Sequence, residues 1–171
     1  PSARWVGLIS VADVDAAAAA VTAAGGKVVY APVMLGERGE TAVFKDPEGV
    51  LFGVVHSKNG DPLDYAGDLN EWYWVDLWTA DVEKAATFYR AAIGYETSPV
   101  ADDGPRSGVR LLSGGFARAG IMQKNSEKSS ATWLPYIRVA DANAAAAAAR
   151  AAGGKVLLDP VAMKIATVAI I

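Results

Sequence analysis

The sequence predicts an α+β fold assembled from repeated β-α-β-β-β modules. Two observations carry that expectation. Residues 5–33 recur at 133–161 without a gap, and a repeat of that length is a repeated supersecondary element. A third, more divergent stretch beginning at residue 71 follows the same grammar: β-formers, an aspartate, a helical pattern, then glycine. Repeated units bury their apolar faces against one another, so a site is expected where modules meet.

In the first module, residues 4–11 alternate around β-formers and read as a strand. Asp13 offers a side-chain oxygen to the unpaired amides that open the next helix. Alanine, the strongest helix former, fills residues 14–24, and Gly25-Gly26 ends the helix because glycine tolerates the left-handed conformation. Lys27–Tyr30 is a second strand, followed by a turn at Gly36 and Gly39 and a strand near Thr41–Phe44. Asp46-Pro47-Glu48-Gly49 is a tight turn, with Pro presetting φ and Gly relieving the last position. Glu48 in that turn is expected to be solvated. Val50–Val55 completes the module, which spans 1–57.

Residues 58–70, with Asn, Gly, Pro and Asp, read as a linker. The second module opens with a strand over Trp72–Thr79 and an N-cap at Asp81. The spacing of Val82, Ala85, Ala86, Tyr89 and Ile93 predicts a helix with one apolar face, stopped by Gly94. Strands are expected at 96–98, 108–113 and 117–123, with a polar loop from Gln123 to Ala131. The third module begins at Thr132 and repeats the first, but nothing after Val161 matches Asp46–Gly53. Two modules therefore share residues 71–171, and the last is incomplete. Loops missing from the sequence or a truncated protein would account for this, and missing loops are the expected reason, since a module without its last strand leaves a sheet edge unpaired.

Composition narrows the chemistry. The net charge is −3 with no long basic block, which argues against nucleic acid. No apolar run is long enough to span a bilayer and no secretory leader is visible, so no membrane association and a cytoplasmic location are expected. Cysteine is absent, which excludes disulfides and thiolate chemistry, and His56 is the single histidine. One histidine cannot build a two-histidine metal site within one chain. Placed after the last strand of the first module, His56 is expected at the surface or at a hinge. The Gly25-Gly26 and Gly153-Gly154 pairs follow helices, so neither presents a helix N-terminus to a phosphate.

Three β-α-β-β-β units with these signatures resemble the vicinal oxygen chelate superfamily, which includes glyoxalase I, bleomycin-resistance proteins and extradiol dioxygenases. The residues that carry the resemblance are Trp74-Val75-Asp76-Leu77-Trp78-Thr79-Ala80-Asp81 with Phe88-Tyr89, the two Val-Ala-Asp…Ala-Ala-Gly-Gly-Lys-Val segments, and Phe44-Lys45-Asp46-Pro47-Glu48-Gly49. The layout is most similar to actinobacterial tandem glyoxalase-like proteins of four units, of which this chain would supply the second, third and fourth. The resemblance implies modules pairing into curled eight-stranded sheets with helices outside and ligand inside the cup. It also implies metal ligands on the first and last strands. The first-strand histidine position falls on Val6, Trp74 and Leu134, and the last-strand carboxylate position on Gly53. None of these side chains coordinates a divalent metal, so no cofactor is expected, and a metal is unsupported by the ligand positions.

Strand alternation sorts side chains by face. With Val75 and Leu77 under the helix, Trp74, Asp76 and Trp78 face the cup. The same phase points Leu134, Tyr136 and Arg138 inward in the third module, and Val6, Leu8 and Ser10 in the first. Trp74, Asp76, Trp78, Tyr136 and Arg138 are the candidate ligand-binding residues, suited to a flat, partly apolar molecule with polar handles. Blander alternatives stand beside this. The indoles could fill a collapsed cup, Asp76 and Arg138 could neutralise each other, and Tyr136 could serve a backbone carbonyl. No catalytic residue is assignable. Three functions compete: a metal-free small-molecule binder of the bleomycin-resistance kind, a metal-dependent lyase or dioxygenase with unusual ligands such as Asp76, and a structural module with a filled cup. The first is the expectation, with a small molecule as partner. The concave face of residues 1–57 needs a cover, either an amino-terminal module outside this sequence or another subunit, which makes a homodimer plausible.

Overall fold

A computed structural model of the chain describes residues 5–61, 67–100, 108–124, 129–163 and 166–171. Parts of the expected linker (62–66) and polar loop (125–128) lie outside the described residues. The first module runs β1 (Leu8–Ser10), α1 (Val14–Ala23), β2 (Lys27–Met34), a 3-10 turn at Gly36–Arg38, β3 (Glu40–Lys45) and β4 (Leu51–His56). The second runs β5 (Trp72–Thr79), α2 (Val82–Ile93), β6 (Glu96–Pro99), β7 (Gly108–Ser113) and β8 (Phe116–Gln123). The third runs β9 (Thr132–Ile137), α3 (Ala142–Ala151), β10 (Leu158–Ala162) and β11 (Thr167–Ile170).

The first two modules share one topology. The first sheet has the order β1-β4-β3-β2, with β1 parallel to β4. The second module repeats it as β6-β7-β8-β5, with β5 parallel to β8, and β9 lies beside β5. In the third module β10 and β11 form an antiparallel pair. β2 continues four residues beyond the expected Tyr30, through two register shifts against β3 that let a chain containing Pro32 stay paired. β10 starts at Leu158, three residues after the point that matches the start of β2.

All three helices begin as the sequence dictates. The Asp13, Asp81 and Asp141 carboxylates accept from the backbone amides of Ala16 (2.8 Å), Lys84 (3.0 Å) and Asn143 (2.8 Å). Two amide bonds, from Ala144 and Asn143, hold the exposed Asp141 carboxyl below its usual range. Gly94 closes α2 in the left-handed conformation at φ 85°.

The described residues group into two compact units, Pro1–Asp64 with Trp74–Pro135, and Tyr65–Tyr73 with Tyr136–Ile171. The core of the first unit lies between the helix-covered faces of the first two modules. Val14, Ala17 and Val21 of α1 and Val82, Ala85, Ala86, Phe88, Tyr89 and Ala92 of α2 are buried with Phe44, Phe52, Val54, Leu77, Leu111 and Ile121 from the strands. Aromatic rings run through this core: Phe44–Phe52 at 5.5 Å, Phe52–Tyr89 at 5.4 Å and Tyr89–Trp133 at 5.4 Å between centroids. The opposite face of the first sheet leaves Leu8, Tyr30 and Val33 exposed. In the second unit Ala146 is the buried residue of α3.

Candidate functional site

β5 sorts its side chains as the alternation predicts. Leu77 and Thr79 are buried in the core, whereas Trp74, Asp76 and Trp78 are half-buried on the other face. The Trp74 indole Nε1 donates to Asp76 Oδ1 at 2.7 Å, a pairing of residues i and i+2 that a strand places on one side. The partner strand completes the arrangement. Asp76 lies opposite Gly120 of β8, and a β-carbon built on Gly120 would collide with Asp76 Oδ1. The missing side chain of Gly120 is the space that the carboxylate fills.

The first module holds the same construction with different chemistry. Leu8 lies opposite Gly53, and a β-carbon on Gly53 would collide with Leu8 Cδ2. Leu8 and Asp76 each precede their N-cap aspartate by five residues. The duplicated seat is therefore apolar in one module and acidic in the other.

Tyr136 and Arg138 belong to the second unit, and the other three candidates to the first. Tyr136 is half-buried. Arg138 donates from Nη1 to the Gly67 carbonyl at 3.2 Å and sits over the Tyr73 ring at 6.0 Å. Val6 and Leu134 are half-buried apolar side chains. His56 ends β4, exposed, with Nδ1 3.1 Å from the Val11 carbonyl oxygen. That contact fixes Nδ1 as the protonated nitrogen of the neutral ring, since a carbonyl only accepts. His56 and Ser10 line a surface groove of about 260 Å³, in which the Ser10 hydroxyl donates to Asp61 at 2.5 Å. The hydroxyl is thus committed to a carboxylate.

Glu48 is exposed, as the tight turn predicts, and it has a partner as well. Its carboxylate accepts a bond from the Thr79 hydroxyl, and Thr79 is fully buried. The hydroxyl of a buried strand residue needs an acceptor, and the exposed turn supplies it. Beside it, Asp46 is buried and takes the Val50 and Glu48 amides on Oδ1 at 2.9 Å each. The Tyr89 hydroxyl donates to Asp46 Oδ2 at 3.3 Å and accepts from Trp133 Nε1 at 3.1 Å. Burial raises the Asp46 carboxyl above its usual 3.8, and the two amides and the phenol oppose that rise. Burial, then the adjacent Asp46 charge, pushes the Tyr89 phenol well above 10. This relay locks the Asp-Pro-Glu-Gly turn, α2 and β9 together. Asp46 and Tyr89 are buried within it and Trp133 is half-buried at its end, so its role is structural.

The sequence pattern pointed to β5 and β9 alone. The residues that it missed lie on β7 and β8: Arg110, Gly120 and Met122 share the face of Asp76 through the strand register. Strand pairing carries that information, and no local signal in the sequence announces it.

The metal positions implied by the family resemblance do not suit a metal here. Trp74 is committed to Asp76, the space at Gly53 is taken by a leucine methyl, and among the described residues no three His, Cys, Asp or Glu side chains cluster.

Residues 72–168 match the family described as Glyoxalase-like domain, so the chain belongs to that family, within the vicinal oxygen chelate superfamily. It is 30% identical over 157 residues to "Putative glyoxylase CFP32" of Mycobacterium bovis, covering 91% of this chain and 60% of that protein. It is 30% identical over 170 residues to "Anthracycline biosynthesis protein DauV" of Streptomyces sp., covering 93% of this chain and 58% of that one. The chain thus spans about three fifths of these curated relatives. Among solved structures, 2,2',3-trihydroxybiphenyl 1,2-dioxygenase from Sphingomonas wittichii superimposes with a TM-score of 0.57 at 17% identity, over 94% of this chain and 63% of that one. That likeness establishes the shared fold. No helix among the described residues is long and apolar enough to cross a membrane.

Proposed function

We propose that this glyoxalase-like chain binds a small, flat, partly aromatic molecule on the face of β5 that carries Trp74, Asp76 and Trp78, without the divalent metal usual in the superfamily. One observation carries the reading. Two indoles stand half-buried outside the hydrophobic core, on the face opposite Leu77, with a carboxylate seated between them over a glycine. Indoles packed as core would share the burial of Leu77 and Phe52. Half-exposed indoles beside a polar group give a ligand both stacking area and a hydrogen-bonding handle. The donor set supports a metal-free site, since its one carboxylate is bonded to an indole N–H. A relative named for anthracycline biosynthesis supports an aromatic ligand class. The division into 1–57, a linker at 58–70 and 71–171 remains part of the proposal.

The test is a titration of tryptophan fluorescence with 1-naphthamide, a flat neutral probe. Saturable quenching is expected. It should weaken in Trp74→Phe and Trp78→Phe and persist in Trp5→Phe. Quenching that neither of the first two variants alters would refute the assignment. Elemental analysis of the purified protein that found one bound transition metal per chain would refute the metal-free part.

A further inference from the structure

Beyond β5, the strand register sets two rows of side chains across one face of the second module's sheet. In the first row Ser98 of β6 opposes Arg110 of β7, Arg110 opposes Gly120 of β8, and Gly120 opposes Asp76 of β5. In the second row Gly108 opposes Met122, which opposes Trp78. Residues paired across strands share a face, and this is the face away from Leu77, Leu111 and Ile121, which are buried. The rows differ in chemistry. Met122 lies over Gly108, its sulfur 2.6 Å from where a β-carbon would stand. Met122 and Trp78, paired across β8 and β5, therefore form an apolar shelf. The neighbouring row is polar: an acid at one end, the bare backbone of Gly120, then a guanidinium and a hydroxyl.

Neighbouring strands are about 4.8 Å apart, so the Asp76 and Arg110 backbones stand roughly 10 Å from each other. Their roles differ. Asp76 accepts from the Trp74 indole at 2.7 Å and fills the hollow over Gly120. Arg110 is exposed, and Ser98 beside it is half-buried. A guanidinium presents five donors in a fixed fork suited to planar anions. The Asp76 charge disfavours an anion at its own end of the row, so the two ends orient a ligand in one direction.

We propose that Arg110, assisted by Ser98, seats an anionic group of the ligand, a carboxylate, sulfonate or phenolate, while the ligand's ring lies on the Trp78–Met122 shelf. The preferred class is the aromatic anion. This rests on the small-molecule reading above and adds the residue that selects among such molecules.

The experiment compares 1-naphthoate with 1-naphthamide, which share the ring and differ in charge, by calorimetric titration of the whole chain. Naphthoate should bind at least about tenfold more tightly than naphthamide, the scale of a charge-assisted hydrogen bond. Arg110→Gln should lose that advantage and leave naphthamide affinity within about twofold, which also reports that the variant is folded. Arg110→Lys should retain part of it. Equal naphthoate affinity in wild type and Arg110→Gln overturns the proposal while the small-molecule reading survives through naphthamide. Failure of both compounds to bind the wild type overturns both.

Discussion

Replacing Tyr89 by Phe isolates the relay that ties the three modules together in the first unit. The phenyl ring keeps its contacts with Phe52, Phe88 and Trp133, at 5.4, 4.9 and 5.4 Å between centroids. Only the hydroxyl goes, and with it two hydrogen bonds: its own donation to Asp46 and the one that it accepts from Trp133. A bond to a charged group contributes about 1.5–3 kcal/mol and an ordinary one about 1 kcal/mol. Two features pull the sum down. The 3.3 Å separation from Asp46 is long for O–H···O, and Trp133 is half-buried, so its indole N–H regains some solvation. The expected loss is therefore about 2 kcal/mol, near the low end. For a chain of this size that corresponds to a fall in Tm of about 4–8 °C. Urea unfolding followed by tryptophan fluorescence should show a lower midpoint at unchanged slope. A loss below about 0.5 kcal/mol would mean that the relay contributes nothing beyond ring packing, and the structural role assigned to Asp46 and Tyr89 would fall.

Four further outcomes follow from the same geometry. The folded-state Asp46 carboxyl titrates above its ordinary 3.8, chiefly through burial, so the folded protein keeps a proton that the unfolded chain releases. Stability from this group is full below 3.8 and declines as pH rises through the raised value; in Asp46→Asn, urea midpoints should lack that decline. Trp133→Ala should cost about 3 kcal/mol because the ring packs on Tyr89, whereas Trp74→Ala should cost about 1–2 kcal/mol, the difference being readable in paired urea curves. Asp81→Ala removes the cap of α2 and should cost about 1 kcal/mol, measured as the same midpoint shift. Gly120→Ala should displace the Asp76 carboxylate and shift the Trp74 indole N–H resonance in a proton–nitrogen NMR spectrum; an unmoved resonance would show that the glycine is not the seat of the acid.

Much of this was legible in the sequence, and the reasons are local. The three N-cap aspartates, the glycines closing α1 and α2, and the period-two alternation of β5 each act within a few residues, so pattern alone locates them. The equivalence of Trp5 and Trp133 was legible too, but their environments were not. Trp5 is 81% exposed, while Trp133 packs on the Tyr89 ring. The same residue at the same repeat position meets different neighbours. Glu48 is exposed as its turn predicts, but the bond it accepts from the buried Thr79 was not legible, because Thr79 lies 31 residues away in another module. Arg110 escaped notice because what makes it interesting is a register two strands from β5.

The two glycine seats show how one duplicated scaffold can separate stability from recognition. Leu8 over Gly53 and Asp76 over Gly120 occupy the same place in the same topology. In each, a glycine on the last strand accepts a side chain from the first, so the backbone geometry is conserved by the construction and the chemistry is set by one residue. Leucine there needs no partner. Aspartate there needs a donor, and Trp74 two residues earlier supplies it. That donor fixes the indole plane at the edge of the face. An acid in this seat thus orders an aromatic side chain outside the core, an arrangement that costs desolvation and adds little packing. A position that costs stability in one module, where its counterpart is filled by a methyl group, is where recognition is to be sought.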